Sequence, residues 1–357
     1  LLRLNSNQKI PLNQIDRIRI GTTIATNALL ERKGAKTALL ITKGFRDLLE
    51  IGNQSRPRLF DLSIKKPEKL FETVYEIDER LDSNGVIIRD LNEKKLLQDL
   101  KQLKEEDIES VAIVLMHSWK NPIHEERCYE IAKAQGFDNI SVSSKVIPLI
   151  KIVGRGQTTV VDSYLYPILH KYVLSIEKEL GAIPIEFMQS SGGLTDSLSL
   201  NGKDAIMSGP AGGVIGAAKI GNLNKISNII GFDMGGTSTD VSKYSGEFEK
   251  VVEVQAGGIE FQSSSLDIKT IAAGGGSLLW FDGSKLQVGP KSGGSNPGPV
   301  CYGLGGKLAL TDANLILNRI NSEYFPCVFG PNQDQKLDRE LAEDEFQKLK
   351  DIVNKAT

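Results

Sequence analysis

Residues 229–242 read Ile229-Ile230-Gly231-Phe232-Asp233-Met234-Gly235-Gly236-Thr237-Ser238-Thr239-Asp240-Val241-Ser242. An apolar strand ends in the carboxylate of Asp233, two glycines permit a tight turn, and hydroxyl side chains follow on the returning strand. Because Gly235 and Gly236 have no Cβ, their backbone N–H groups can approach an anion closely. The pattern predicts a β-hairpin that binds phosphate, and it lacks the Lys of the strand-to-helix Walker loop.

The polar groups of this hairpin suggest a nucleotide and metal site. We expect phosphate oxygens to be bound by Gly235, Gly236, Thr237 and Thr239, with Asp233 and Asp240 holding a hydrated Mg²⁺. Asp233 is also a candidate catalytic residue. The alternative interpretation of the segment is a Gly-rich β-turn with a polar edge.

A run of small residues precedes the hairpin. Residues 208–219 read Ser-Gly-Pro-Ala-Gly-Gly-Val-Ile-Gly-Ala-Ala-Lys, which predicts a helix that opens at a proline. Each glycine costs such a helix about 1 kcal/mol relative to alanine. We therefore expect either close helix packing or a hinge to account for them.

The order of small-residue helix, short link, strand and Asp-x-Gly-Gly-Thr resembles that of actin, the sugar kinases and the large heat-shock ATPase chaperones. This resemblance implies an α/β fold of two actin-like (ribonuclease H-like) domains, in which mixed sheets are flanked by helices. It also implies that residues 208–219 form a connecting hinge helix and that residues 233–240 form the second phosphate loop. Residues 270–277 resemble the adenosine loop of that superfamily, through Gly274, Gly275, Gly276 and Ser277; a structural turn is the alternative.

Bulk composition excludes some classes of function. The chain has 357 residues and a formal net charge of -2, so we expect two domains and neither nucleic acid nor a membrane as a partner. No apolar run approaches the roughly 20 residues needed to span a bilayer. The three cysteines, Cys128, Cys301 and Cys327, lack CxxC spacing. We therefore expect reduced thiols and a cytoplasmic location.

The first part of the chain alternates strands and helices. Residues 38–42 and 111–116 are apolar enough for buried strands, and residues 91–103 have the apolar spacing of an amphipathic helix, which together predict a largely parallel sheet. Asn84-Gly85 predicts a hairpin with a type I′ turn. The character of the sequence changes between Ser143 and Arg155, so we place the domains at 1–150 and 151–357.

Several longer strings resemble the hydantoinase A/oxoprolinase family, and they cover nearly the whole chain. Beyond the hairpin and the adenosine-like loop, they are residues 21–34 (Gly-Thr-Thr-Ile-Ala-Thr-Asn-Ala-Leu-Leu-Glu-Arg-Lys-Gly), 42–47, 51–57, 190–193 (Ser-Ser-Gly-Gly), 267–277, 289–290 and 296–302. Residues 28–34 and 325–331 are most similar to the oxoprolinase branch. The family position implies one N-terminal-type domain followed by one hydantoinase A-type domain.

That resemblance implies an ATP-dependent enzyme that opens the lactam 5-oxo-L-proline to L-glutamate and releases ADP and phosphate. It also implies Mg²⁺, a cyclic amide as substrate, a hydantoinase B-type domain or subunit as partner, and a homo-oligomer. Family members carry an earlier Asp-x-Gly-Gly-Thr loop, and none occurs before Gly21. We therefore expect this chain to hold one half of the phosphate site and to be inactive alone.

Candidate substrate residues lie in the first third of the chain. Gly21, Thr22, Thr23 and Asn27 form a loop between a strand and a helix N-terminus, where an anion binds well. The alternative is a threonine N-cap with Asn27 merely solvated. The guanidinium group of arginine can form two parallel hydrogen bonds to a carboxylate. Arg46, Asn53 and Arg56 are therefore candidates for binding the substrate carboxylate, and the alternative is that the arginines are ordinary surface residues.

Asp162 interrupts an apolar helical stretch and is a candidate for activating water. The alternative is a carboxylate with a purely structural hydrogen-bonding role.

Two other functions stay open. One is a hydantoinase or acetone-carboxylase-type subunit that applies the same ATP chemistry to another carbonyl. The other is a non-catalytic actin-like module whose nucleotide cycle drives a conformational change.

Overall fold

The computed structural model describes residues 15–54, 60, 62, 66, 68–181 and 183–356. Arg56 lies outside the described residues. The chain divides into two compact units. The first comprises the residues up to Ile215 together with Glu249–Leu266, and the second comprises Gly216–Phe248 together with 267–356.

The described part of the chain contains both strands and helices. The strands are β1 (Ile18–Ile20), β2 (Thr37–Thr42), β3 (Thr73–Ile77), β4 (Arg80–Leu81), β5 (Ile87–Arg89), β6 (Ser110–Val114), β7 (Asn139–Val142), β8 (Ile185–Met188), β9 (Leu194–Asp196), β10 (Asn228–Met234), β11 (Thr239–Ser245), β12 (Lys250–Ala256), β13 (Ile259–Leu266), β14 (Ile268–Ile271), β15 (Ser277–Phe281) and β16 (Leu286–Ser292). The helices are α1 (Ile24–Leu30), α2 (Leu48–Ile51), α3 (Glu93–Glu105), α4 (Ile123–Ala134), α5 (Ser143–Val146), α6 (Ile152–Leu180), α7 (Gly202–Ala205), α8 (Ser208–Leu223), α9 (Leu310–Ile316) and α10 (Arg339–Ala356).

The main sheet of the first unit is parallel, as the sequence predicts. Its strand order is β3-β2-β6-β7, and every neighbouring pair runs parallel. Side chains of β2 alternate between two cores. Leu39 and Ile41 pack with α6, whereas Leu40 packs with residues of α3 and α4. Because both faces are covered, the strand is apolar at nearly every position.

The long helix α6 begins where the sequence suggests a domain boundary. Arg155 in its first turn is fully buried, and its guanidinium donates to the carbonyl oxygens of Leu115 (2.7 Å) and Leu149 (2.6 Å) and to Ser143 Oγ (3.0 Å). These bonds fasten the start of α6 to the end of β6. The compact units therefore do not divide at residue 150, and the sequence-based boundary stays a prediction about family domains.

A second sheet of the first unit carries the candidate substrate loop. β1 pairs parallel with β8, with Ile20 opposite Phe187, and β9 extends the sheet antiparallel to β8. The carboxyl ends of β1 and β8 therefore lie side by side. In open α/β sheets, ligands bind outside the carboxyl ends of the strands.

The hairpin predicted at Asn84-Gly85 is confirmed between β4 and β5. The predicted type I′ turn is wrong. A type I′ turn needs positive φ at both central residues, and only Gly85 (φ 84°) has it. Asp82 shapes the turn instead, since its Oδ1 accepts from the backbone N–H groups of Asn84 (2.9 Å) and Val86 (2.8 Å).

The second unit is built on antiparallel pairs. Its sheet has the order β10-β11-β14, and β15 and β16 form a separate hairpin. A small core of this unit contains Cys301, Leu315, Leu337 and Ala342. β10 is an edge strand, and its apolar residues Ile230 and Phe232 are exposed by 75% and 68%.

The small-residue helix is confirmed as α8, and the division between the compact units falls within it, after Ile215. Close packing explains only part of its glycine content. A Cβ on Gly221 would lie 2.0 Å from Ile229, but a Cβ on Gly213 or Gly216 would meet nothing within 4 Å. For those two positions the expectation of close packing is wrong, and the hinge remains a prediction.

No helix in the described residues combines the length and the apolar character needed to cross a membrane.

Candidate functional site

The predicted β-hairpin is confirmed. β10 and β11 are antiparallel neighbours with Asp233 opposite Asp240 and Met234 opposite Thr239, and a 2.9 Å hydrogen bond from Gly235 N to Ser238 O closes the turn. Neither Gly235 nor Gly236 has a positive φ. Their lack of a side chain, rather than backbone freedom, is therefore what distinguishes them at this turn.

The tip of this hairpin is open to solvent. Gly235, Gly236 and Thr237 are exposed, and a Cβ on Gly236 would meet nothing within 4 Å. Within the described part of the chain, the N–H groups of Gly236 and Thr237 have no hydrogen-bond acceptor. Consecutive backbone N–H groups of this kind form anion-binding concavities in proteins.

Thr239 does not fit its predicted role as a phosphate donor. Its side chain is buried, and its single O–H donates to the carbonyl oxygen of Ala273 at 2.6 Å. The hydroxyl therefore joins the hairpin to the segment that follows β14.

The two acidic residues of the hairpin lie opposite one another. Residues directly opposite in an antiparallel pair share a face, and like charges in that arrangement destabilise the sheet. Asp240 Oδ1 accepts a 2.7 Å hydrogen bond from Thr270, while Asp233 is exposed. A bound cation would remove the repulsion between them.

This pair fits Mg²⁺ better than a metal bound by protein groups alone. No group of three or more His, Cys, Asp or Glu side chains among the described residues is placed to hold a metal ion. Mg²⁺ is commonly bound through one or two carboxylates, with waters and substrate phosphates supplying its other ligands.

The Gly-rich loop at residues 274–277 packs directly on the hairpin within the same unit. Gly275 N donates to Gly235 O (2.9 Å) and Gly276 N donates to Gly236 O (2.6 Å). A Cβ on Gly274 would lie 2.7 Å from Gly235 O, so the contact requires glycine. Ser277 is buried, and its Oγ accepts from Gly274 N at 2.9 Å, which gives it a role inside the loop.

Sequence reasoning missed two residues of α9 that support this loop. Thr311 donates from both N (2.8 Å) and Oγ1 (2.9 Å) to the carbonyl oxygen of Gly275. The fully buried carboxylate of Asp312 accepts from the N–H groups of Val300, Cys301 and Ala309. The one feature of the sequence that marks these two residues is an acidic residue in the first turn of a helix. That feature is too common to identify a site.

The candidate substrate loop of the first unit is fastened to the start of α8. Ser208 Oγ donates to Thr22 O at 2.8 Å, and both residues are buried. Thr22 Oγ1 accepts from Ile24 N (3.2 Å), whereas Thr23 occupies the N-cap of α1 without a side-chain capping bond. Thr22 therefore has a structural role, while Gly21, Thr23 and Asn27 are exposed.

The proposed carboxylate clamp is only partly described. Arg46 and Asn53 are exposed on either side of α2. Since Arg56 lies outside the described residues, the clamp stays a prediction.

Asp162 fits the structural alternative better than a catalytic role. It is buried in α6, and its two oxygens accept from Ser141 Oγ (2.8 Å) and Lys203 N (3.2 Å). Burial raises its pKa, and the nearby Asp204 carboxylate adds to that shift. Both oxygens are therefore already bound by protein groups.

The two buried cysteines do not fit a nucleophilic role. Cys128 and Cys301 are buried free thiols, and burial raises the pKa of each well above its usual range. The nearby Asp312 carboxylate raises the pKa of Cys301 further. Such thiols stay protonated, whereas the thiolate is the reactive form.

Comparisons with known proteins show the family of the chain. The profile described as Hydantoinase/oxoprolinase matches residues 155–357, and the Hydantoinase/oxoprolinase N-terminal region matches residues 1–136. The chain is 45% identical to 5-oxoprolinase 1 of Arabidopsis thaliana over 99% of its length, and 44% identical to 5-oxoprolinase of Dictyostelium discoideum over 98%. It spans only 30% and 31% of the lengths of those two relatives.

A solved structure has a similar fold. The ATP-dependent caprolactamase of Pseudomonas jessenii superimposes with a TM-score of 0.77 at 32% identity, covering 96% of this chain and 51% of that one. The nucleotide-free acetone carboxylase has the same TM-score at 24% identity, which shows the fold alone. With two family profiles covering most of its length, the chain belongs to the hydantoinase/oxoprolinase family.

Proposed function

We propose that this chain is the part of an ATP-dependent cyclic amidase that binds the nucleotide phosphates, and that the enzyme opens 5-oxo-L-proline to L-glutamate. The observation that carries the proposal is the exposed tip of the hairpin, where the N–H groups of Gly236 and Thr237 are without acceptors in the described chain and Asp233 faces Asp240. The 5-oxoprolinases to which the chain is 44–45% identical support the choice of substrate.

The chemistry explains why such an enzyme needs ATP. A five-membered lactam is a stable amide with a poor leaving group. Transfer of the γ-phosphoryl group to the lactam oxygen gives an imidate-like phosphate and ADP. Water then attacks the ring carbon, the ring C–N bond breaks, and the nitrogen takes up a proton and leaves as the amine, which gives an acyl phosphate. A second water hydrolyses the acyl phosphate to the carboxylate and inorganic phosphate. The protein contributes position and charge neutralisation at each stage.

Residues of the second unit would bind the nucleotide. The N–H groups of Gly236 and Thr237 donate to phosphate oxygens, and the loop at Gly274–Gly276 lies beside them for the nucleoside. Asp233 and Asp240 hold Mg²⁺, which neutralises the phosphate charge when bound. Thr239 and Ser277 support the two loops from within.

The assignment of the remaining parts of the site rests on the resemblance to the wider family. We infer an actin-like arrangement in which α8 is the hinge, with Gly21, Thr23, Asn27, Asn53 and Arg56 on the substrate side. A first phosphate loop and a hydantoinase B-type partner would complete the enzyme, which we expect to be a cytoplasmic homo-oligomer.

The experiment is phosphate release by the intact enzyme with ATP and one candidate substrate at a time. 5-Oxo-L-proline should stimulate phosphate release and yield glutamate in equal amount, whereas hydantoin, ε-caprolactam and acetone should not. Stimulation by one of the other compounds alone would reassign the substrate. The similarity to the caprolactamase makes a larger lactam the second candidate. ADP binding without any substrate-dependent turnover would favour a non-catalytic nucleotide module.

A further inference from the structure

Two donors from one residue of α9 converge on a single carbonyl oxygen. Thr311 lies in the first turn of α9, and both its backbone N (2.8 Å) and its Oγ1 (2.9 Å) bind Gly275 O. A Cβ on Gly275 would lie 2.7 Å from Thr311 Oγ1. The Gly-rich loop is therefore held against α9 too closely for a side chain to fit.

The Gly-rich loop is in turn hydrogen-bonded to the phosphate hairpin. Gly275 N donates to Gly235 O and Gly276 N donates to Gly236 O, at 2.9 and 2.6 Å. In a planar trans peptide the C=O and the N–H point in opposite directions. Gly235 C=O shares its peptide plane with Gly236 N–H, and Gly236 C=O shares its plane with Thr237 N–H. Binding the two carbonyls therefore turns the two acceptor-free N–H groups away from the Gly-rich loop.

α9 is well suited to anchor this arrangement, because the residue after Thr311 fixes its start. Asp312 is 0% exposed and accepts from Cys301 N (2.8 Å), Ala309 N (2.8 Å) and Val300 N (3.2 Å). A buried carboxylate with three backbone donors holds the first turn of the helix rigidly.

We propose that Thr311 is a positioning residue of the nucleotide site, which acts through Gly275 to orient the N–H groups that bind phosphate. The proposal rests on the proposed function. In this proposal the Thr311 hydroxyl contacts neither the nucleotide nor the metal. It orients the N–H groups that bind the phosphate.

The test removes only the hydroxyl. Thr311→Val keeps the side-chain shape and the backbone bond to Gly275, while Thr311→Ser restores a hydroxyl. Mg·ADP affinity and the KM for ATP are measured in the intact enzyme, alongside the melting temperature. The Val variant should bind Mg·ADP about 3- to 10-fold more weakly, the range expected for one hydrogen bond, with an unchanged KM for 5-oxoproline. The Ser variant should stay within about twofold of wild type.

A matched control removes a similar bond elsewhere in the same unit. Trp280 Nε1 donates to Gly289 O at 2.9 Å, and Trp280→Phe deletes that donor. This variant should bind Mg·ADP as wild type does. If the Val variant does not fold, Thr311→Ala is measured instead, with the same weakening expected.

The outcomes separate this proposal from the proposed function. Wild-type Mg·ADP affinity in the Val variant would overturn the role of Thr311 and leave the nucleotide site intact. Equal weakening in the Ser and Trp280→Phe variants would also overturn it, since general destabilisation would then be the cause. A wild-type enzyme that binds no nucleotide would instead refute the proposed function itself.

Discussion

The backbone N–H of Gly275 donates a 2.9 Å hydrogen bond to the carbonyl oxygen of Gly235. This bond joins the two Gly-rich segments of the second unit, which are separated in sequence by the whole of β11 to β14. It leaves the opposite side of the hairpin, with the N–H groups of Gly236 and Thr237, open to solvent.

Replacing Gly274 by alanine should separate the two loops. The added Cβ would lie 2.7 Å from Gly235 O and 2.7 Å from the carbonyl carbon of Gly236, and these near neighbours are backbone atoms that cannot swing aside. We expect a lower melting temperature and at least about a fivefold loss of Mg·ADP affinity, since small-to-large changes at packed sites typically cost about 1–3 kcal/mol. Calorimetry measures both, and wild-type values for both would contradict the contact.

Replacing Gly236 by alanine should have a different effect. Its Cβ would meet nothing within 4 Å, so the folded protein should keep its melting temperature. The methyl group would, however, occupy the space through which a phosphate approaches the backbone. We expect weaker Mg·ADP binding by about tenfold or more with unchanged stability. Unchanged affinity would show that phosphate does not bind at this turn.

Replacing Gly216 by alanine tests the hinge. The position is helical and open, with nothing within 4 Å of an added Cβ, so the variant should be more stable by about 0.5–1 kcal/mol. If α8 bends during turnover, kcat should fall while the KM for ATP changes little. Urea denaturation and steady-state kinetics provide the two readouts. Higher stability with unchanged kcat would argue against a hinge here.

Asp162→Asn separates a structural from a catalytic carboxylate. Burial raises the pKa of Asp162 above 3.8, so the folded protein holds this proton more tightly than the unfolded chain does. The stability that this group contributes is present below pH 3.8 and is lost as pH rises through the raised folded pKa. An amide can donate to Ser141 and still accept from Lys203 N, so the variant should fold.

The wild-type protein should therefore lose stability relative to Asp162→Asn as pH rises from 4 towards neutrality. The difference in unfolding free energy between the variant and wild type should increase over that range in favour of the variant. Its turnover should remain near the wild-type value. Urea titrations at several pH values and an activity assay check the two statements. A folded variant without activity would restore the catalytic role of Asp162.

The sequence was sufficient to predict the elements whose signals are local. Asp-x-Gly-Gly between apolar and hydroxyl residues specifies the 233–240 hairpin, and apolar runs such as 111–116 specify a parallel sheet covered on both faces. The Gly-rich loop at 274–277 was recognisable in the same way.

What the sequence did not reveal depends on contacts between distant residues. Whether the hydroxyl of Thr239 faces a ligand or Ala273 O is decided by where β14 ends. The support from Thr311 and Asp312 depends on how α9 meets the loop. Arg155 is charged, and its hydrogen bonds to Leu115 O, Leu149 O and Ser143 Oγ make a place for it inside the protein.

Phosphate release by Asp233→Asn in the intact enzyme tests the central claim most directly. With saturating ATP, Mg²⁺ and 5-oxoproline, loss of one of the two paired carboxylates should lower turnover by at least about 100-fold, because the charge on the transferring phosphate is no longer neutralised. The melting temperature should not fall, since the repulsion between Asp233 and Asp240 is removed. Turnover equal to that of wild type would contradict the assignment of this hairpin as the phosphate and metal site.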